Sequence, residues 1–444
     1  MRTGTFARAT ALSGAALLAL TACGGSSDDA DDTGGSDASS SEKQVNVYGT
    51  DGNVGNALGE SFTEDGALAG LKGTTPLTNL SSDFKDRLLG IDPKLEDYNY
   101  SGESYDAVVI TALAAAMAQT NDATVFAPYI NGVTFGGEAC TDFESCLAII
   151  AAGGNPDYDG ITGPLAFADP GEPAVASFGV LQFGRDNLLD DSLTEYLTVG
   201  DEANAATDEG PAAAPYGSGT GVLKFGTLLP LTGSLAYLGP PEVAGVQLAV
   251  NDINAAGGVL NAPVEVVTGD SGDASTNIAT QTVATLLQQG VNAIIGAASS
   301  DVTKTVIDTV TQAGVVQFSP ANTSDSFTTY DDNGLYFRTA PPDLFQGQVL
   351  ADLVSQDGNQ SVGILAQNGE YGTGLAEQIV ANLDSAGLSG DSVKSVYYDP
   401  TASDFSDVVQ QMVDLNPDGI IVVGFDESAK IIKGLNEQGI GPQR

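Results

Sequence analysis

The residues best placed to do chemistry here are serines, threonines and acids at the ends of short apolar runs. Gly269-Asp270-Ser271-Gly272 has the form of a nucleophile loop, a serine beside an acid and flanked by glycines. A serine nucleophile needs a base, and the 444 residues include no histidine. That removes the Ser-His-Asp arrangement, imidazole acid–base catalysis and histidine metal ligands. The stretch therefore reads as a turn after the apolar run 264–268, and a hydrolase built on Ser271 is the weakest rival reading. Cys140 and Cys146 lie in ACTDFESC. No further Cys or His stands near to complete a metal set, so in an exported protein they read as a small disulfide-closed loop. Neither a metal nor a cofactor is expected. Gly49-Thr50-Asp51-Gly52-Asn53-Val54-Gly55 has GxxGxxG spacing, not the GxGxxG of a dinucleotide loop.

What is left is chemistry of binding. Ala297-Ala298-Ser299-Ser300 follows the apolar run 293–296 and opens a helix from Asp301. The start of a helix presents free N–H groups and a positive dipole end, which suit a carboxylate. Ser319-Pro320-Ala321-Asn322-Thr323 ends the next run and offers a hydroxyl with backbone groups.

The elements that must carry these loops are legible from residue 222 onward. An apolar run at 222–229 leads into a Gly-rich loop, then Pro240-Pro241 and a helix with Val243, Val246, Val250 and Ile253 at helical spacing. Further strand runs fall at 264–268, 293–296, 315–319, 362–366, 393–398 and 420–424. Helical patterns lie between them at 278–289, 301–312, 346–354, 374–386 and 404–415, with one more at 428–438. Alternation at this spacing predicts βαβ units and parallel sheets, an α/β fold. Ligands in such folds bind beyond the carboxyl ends of the strands.

Ahead of these lies another strand-to-turn unit, 44–53, with an extended run at 71–77. A buried Ala-rich helix is predicted at 105–119 and an antiparallel crossing within 157–183. Residues 201–219, DEANAATDEGPAAAPYGSG, form a polar linker, flexible enough to leave the lobes free to move.

Composition narrows the class of partner. With 58 acidic and 15 basic residues, the net charge is −43. A polyphosphate partner needs a basic footprint, so nucleic-acid binding is not expected. Arg2 and Arg8 precede and enter an apolar stretch at 9–20, and Leu20-Thr21-Ala22-Cys23 follows. This order of charge, apolar core and small residues before a cysteine predicts a bacterial lipoprotein signal over 1–23, with Cys23 lipid-modified. Residues 24–43 are acidic and Gly/Ser-rich, a disordered tether. The lipid would then be the only membrane anchor of an extracytoplasmic protein.

Residues 222–444 resemble the first two thirds of the branched-chain amino-acid-binding proteins of ABC importers, periplasmic binding proteins of type I. The matching motifs are FGTLLPLTGSLAYLG, AIIGAASSDVT, GVVQFSPANTS, NGEYGTGLAEQI and GIIVVGFDES. Residues 44–200 resemble the last third, through VYGTDG, GLKGTTPL, SYDAVVITALAAAM and YDGITGPLAFADPGEPAVASFGVLQF. Each block appears once, in rotated order. A circularly permuted chain joined through 201–219 explains this best. Two truncated tandem copies and a rearranged gene model are the alternatives.

The resemblance implies a two-lobed clam, each lobe a parallel sheet flanked by helices. Lobe one would comprise 220–341 with 74–156, and lobe two 342–444 with 44–73 and 157–200. It also places Ser300, Ala321 and Thr323, with Ser299 beside them, at the ligand's α-carboxylate. Asp51 falls where the family's acid, usually a Glu, pairs with the α-ammonium. Tyr237, Tyr371 and Phe425 fall at aromatic walls. The implied function is capture of an amino acid, branched-chain or aliphatic, or a related small amide, for ABC permease subunits, with no bond chemistry. A ligand-binding sensory receptor lipoprotein of the same fold is the alternative.

Overall fold

The computed structural model describes residues 44–442, so the expected signal, Cys23 and the tether lie outside the described residues. Two sheets dominate. The first has five parallel strands in the order Tyr336–Arg338, Val316–Ser319, Ala293–Gly296, Lys224–Leu228, Glu265–Val267. The second has seven, in the order Val393–Tyr398, Val362–Gln367, Gly419–Val423, Asn46–Gly49, Lys72–Pro76, Val175–Gln182, Glu195–Gly200. Its last two strands run antiparallel to their neighbours. Asn46–Gly49 sits between Gly419–Val423 and Lys72–Pro76, parallel to both.

The central strands Ala293–Gly296, Val362–Gln367 and Gly419–Val423 are largely apolar runs because both sheet faces are covered there. Alternate residues on a strand point to opposite faces. In the second sheet Ile420 and Val422 pack with Met412, Ile431 and Leu435 on one side. Ile421 and Val423 pack with Leu350, Leu375 and Ile379 on the other. In the first, Ile295 and Phe318 meet the helices Ser101–Ala118 and Gly239–Ala255, while Ile294 meets the helices Ile278–Gln288 and Ser300–Gln312.

The Ala-rich helix runs Ser101–Ala118, starting four residues before the expected 105, and every residue in it is buried. Small side chains let it lie close to the helix Gly239–Ala255; a side chain at Gly245 would strike the backbone of Ser101. The sequence reading passed over the helices Ser82–Ile91 and Phe143–Ala151 and the edge strand Tyr336–Arg338. Cys140 and Cys146 are joined in a disulfide at the start of the helix Phe143–Ala151.

The 201–219 segment differs from a slack tether. Ala206 N donates to Phe167 O, Tyr129 Oη to Ala212 O, Ala214 N to Met117 O and Gly219 N to Gln119 Oε1. These bonds pin it against Phe167, Tyr129 and the C-terminal end of the Ala-rich helix. Among the described residues no helix is long and apolar enough to cross a membrane.

Candidate ligand-binding site

The site lies where strands of both sheets end and face each other. On the second lobe, Asn46–Gly49 runs into a tight turn. Asn53 N and Val54 N donate to Thr50 O, and Asn53 Oδ1 accepts from Thr50 N at 2.9 Å. Asn53 Nδ2 reaches across to Val422 O at 2.9 Å and Ser428 Oγ at 3.0 Å. The turn is thereby fixed and Asp51 projects from its tip, 5 % exposed.

Asp51 is fully engaged. Tyr371 Oη donates to Oδ1 at 2.7 Å, Tyr100 Oη donates to Oδ2 at 2.7 Å, and Tyr237 Oη donates to the Asp51 carbonyl at 3.1 Å. Tyr371 comes from the second lobe, whereas Tyr100 and Tyr237 come from the first. Burial pushes the Asp51 carboxyl above its ordinary range, and the bonds from Tyr371 and Tyr100 act against that. Burial and the neighbouring Asp51 charge push the phenols of Tyr100 and Tyr371 well up, so both stay protonated donors.

On the first lobe, Ala293–Gly296 ends in a left-handed glycine, φ 125° at Gly296, where a side chain would collide with the Leu228 carbonyl. The chain then turns into Ala297–Ser299. Ser299 caps the helix Ser300–Gln312, its Oγ accepting from Val302 N at 3.4 Å. The loop after Val316–Ser319 is stitched to this turn. Ser319 Oγ donates to Ala297 O at 2.7 Å and Asn322 Nδ2 to Ala298 O at 2.7 Å. Arg338 holds the loop from behind, giving 2.8 Å to Ser324 O and 3.2 Å to Asn322 O while paired with Glu172.

One cavity joins the two halves. Asp51, Ser299, Ser300, Ala321, Tyr371 and Phe425 line it, six of the eight residues expected from sequence. Tyr371 and Phe425 stack, centroids 5.3 Å apart and planes 16° apart. Tyr237 stands behind Asp51 and packs against the apolar cluster of Tyr100, Leu235 and Leu238 without lining the cavity. Thr323 also stands outside it. Its hydroxyl is buried without a hydrogen-bond partner and its carbonyl accepts from Asp343 N at 2.7 Å.

Gly52, Tyr100, Leu235, Leu238 and Ala298, not singled out as site residues from the sequence, complete the wall. Leu235, Leu238 and Ala298 lie within motifs already singled out. Tyr100 gave no local signal. Outside the cavity, a wider cleft shares Leu235, Ser299 and Phe425 with it and is rimmed by Asp273, Asp301, Asp399, Asp426 and Glu427.

The lobes also meet beside the cavity. The helix Glu370–Ser385 begins after Gly369 and has no capping side chain of its own. Asp301 of the first lobe takes that role, accepting from Glu370 N at 2.7 Å. Glu370 in turn accepts from Ser326 Oγ at 2.9 Å and lies 3.7 Å from Lys304 Nζ.

This arrangement can hold a small polar molecule between an acid and a helix N-terminus. It offers no nucleophile–base pair: Ser271 Oγ is buried and donates to Gly272 O.

The family model for periplasmic binding proteins matches residues 222–444. A Leu/Ile/Val-binding protein homologue of Brucella abortus is 30% identical over 233 residues, covering 50% of this chain and 56% of that one. The leucine-, isoleucine-, valine-, threonine- and alanine-binding protein of Pseudomonas aeruginosa is 28% identical over 177 residues, 39% of this chain and 47% of its own. Among solved structures, the isoleucine complex of the branched-chain amino-acid transporter substrate-binding protein LivJ from Streptococcus pneumoniae is 31% identical. It aligns with 50% of this chain and 62% of that one at a TM-score of 0.43. The chain spans about half the length of the curated relatives it matches. These relatives are named as binding proteins, not as enzymes. With half of its residues matched by the family model, the chain belongs to the periplasmic binding protein family.

Proposed function

We propose that the protein is an extracytoplasmic solute-binding protein that captures an aliphatic amino acid, or a related small amide, and delivers it to an ABC importer. The observation that carries this is the pairing of Asp51 with the Ser299–Ser300 helix start across one cavity. An acid facing a helix N-terminus complements an ammonium and a carboxylate on one small molecule. The Leu/Ile/Val names of the relatives support the aliphatic class. Binding would favour the closed clam by contacting both lobes at once, and a permease would read closure from the lobe surfaces.

Two further parts belong to this reading. Cys23 carries a lipid that holds the body at the membrane; labelled fatty acid should enter the protein and be lost in Cys23→Ala. The rotated order of the family blocks is a circular permutation, which the neighbouring strands Asn46–Gly49 and Gly419–Val423 support.

A thermal-shift panel of amino acids, amides and urea tests the reading. A ligand at about 100 times its Kd should add about 2.7 kcal/mol of stability. A cooperative melt with no shift across the panel would refute it.

A further inference from the structure

The apolar wall of the cavity is packed on itself. Tyr100, Leu235, Leu238, Ala298, Ala321 and Ala340 form one buried cluster, with Tyr237 and Phe425 against it. Tyr100 is 1 % exposed, Leu238 2 % and Leu235 5 %. The Tyr100 ring crosses from the first lobe to reach Asp51, so it occupies the space between the acid and the leucines. The cavity left among these residues is only about 10 Å³. Pockets for drug-sized ligands run to roughly 300–1,000 Å³. Polar groups from both lobes line this space, Asp51 from the second and the Ser299–Ser300 turn from the first. A ligand that bridges them has little room for a side chain.

Resting on the amino-acid and amide reading, we propose that the cavity selects compact ligands, a glycine- or alanine-sized zwitterion or a short amide, and that Tyr100, Leu235 and Leu238 set the size limit. The leucines act as a floor where a branched side chain would have to lie. The Tyr100 ring fills the space between floor and acid, and its phenol also donates to Asp51 Oδ2. The acidic rim works in the same direction on charge, disfavouring anionic side chains at the entrance.

The test is calorimetric titration of the purified full chain with glycine, alanine, valine, leucine, acetamide and urea. Alanine, glycine or a short amide should bind at least about tenfold more tightly than leucine, the scale set by a few misplaced methylenes. Leu235→Ala and Leu238→Ala, each shown to melt cooperatively, should raise leucine affinity relative to alanine by about tenfold. Tyr100→Phe keeps the ring and should keep the size order while weakening every ligand. Leucine binding as tightly as alanine, or tighter, in the unaltered protein overturns the size limit and leaves the amino-acid reading standing. Binding of none of the series removes both.

Discussion

The phenol of Tyr100, in the first lobe, donates to Oδ2 of Asp51, in the second, at 2.7 Å with both groups buried. Tyr100 holds this position on a left-handed backbone, φ 59° and ψ 8°, just before the helix Ser101–Ala118. A non-glycine residue there is strained by roughly 1–3 kcal/mol and persists only where its surroundings fix it. Tyr100→Phe should remove the tie and leave a buried carboxylate oxygen without its donor. Ligand affinity should fall about tenfold, measured by titration, with the melting temperature lowered less.

Asp51→Asn separates zwitterions from neutral ligands. The variant keeps the shape and loses the charge. An ammonium-bearing ligand should lose roughly 10–100-fold in affinity, the scale of a hydrogen bond to a charged group, whereas a neutral amide should change by about threefold or less. Equal losses for both would show that Asp51 does not meet an ammonium.

Asp301 acts as a cap supplied across the cleft, since it satisfies the first N–H of the helix Glu370–Ser385 only when the lobes are together. Removing a cap typically costs about 1 kcal/mol. Asp301→Ala should therefore weaken ligand binding about fivefold and raise the radius of gyration of the ligand-free protein in solution scattering. The ligand-saturated protein should keep its compact scattering profile.

Stability should fall as pH rises, and Glu103 gives the reason. Glu103 and Glu242 lie in the first turns of the packed helices Ser101–Ala118 and Gly239–Ala255. Both are buried, and neither carboxylate oxygen of Glu242 has a partner. Burial, with the nearby Asp106 charge, pushes Glu103 up to about 8 from 4.5; burial and Glu103 push Glu242 well up. Between pH 4.5 and 8 the folded Glu103 keeps a proton that the unfolded chain has released. The folded state binds more protons there, so stability declines by up to about 1.4 kcal/mol per pH unit for this group. Asp97, pushed up to about 6 by burial, adds the same sign at lower pH. Melting temperature followed from pH 5 to 8 should drop, and Glu103→Gln should flatten the upper part of that slope. An unchanged slope in the variant would assign the effect elsewhere.

The sheets were legible because each strand is a short apolar run between turn residues. Ala293–Gly296 and Val393–Tyr398 fall at the bounds read from sequence. The edge strand Tyr336–Arg338 was not, since three residues ending in an arginine carry no periodicity, and the Arg338 charge is paired by Glu172 from 166 positions away. Ser299 and Ser300 could be named from their place between a strand and a helix, whereas Asp51, a turn aspartate by its local sequence, was named through the family resemblance. Tyr100 could not: its partners Asp51 and Leu238 come from two other parts of the chain, and Tyr-Ser-Gly-Glu offers no sign of them. The same holds for the 201–219 segment, whose composition reads as slack while its backbone bonds tie it down.

The strand Asn46–Gly49, held between Gly419–Val423 and Lys72–Pro76, sets the order in which the molecule can form. Asn53 bonds Val422 and Ser428 across 369 and 375 positions of sequence. Contacts of such separation close late, because the loop entropy must be overcome before they contribute. The five strands of the first sheet all lie between Lys224 and Arg338 and can pair among themselves first. In pulsed hydrogen exchange during refolding, amides of Ala293–Gly296 should gain protection ahead of those of Asn46–Gly49. Asp51 is then among the last groups to be placed, and the first sheet stands before the cavity is complete.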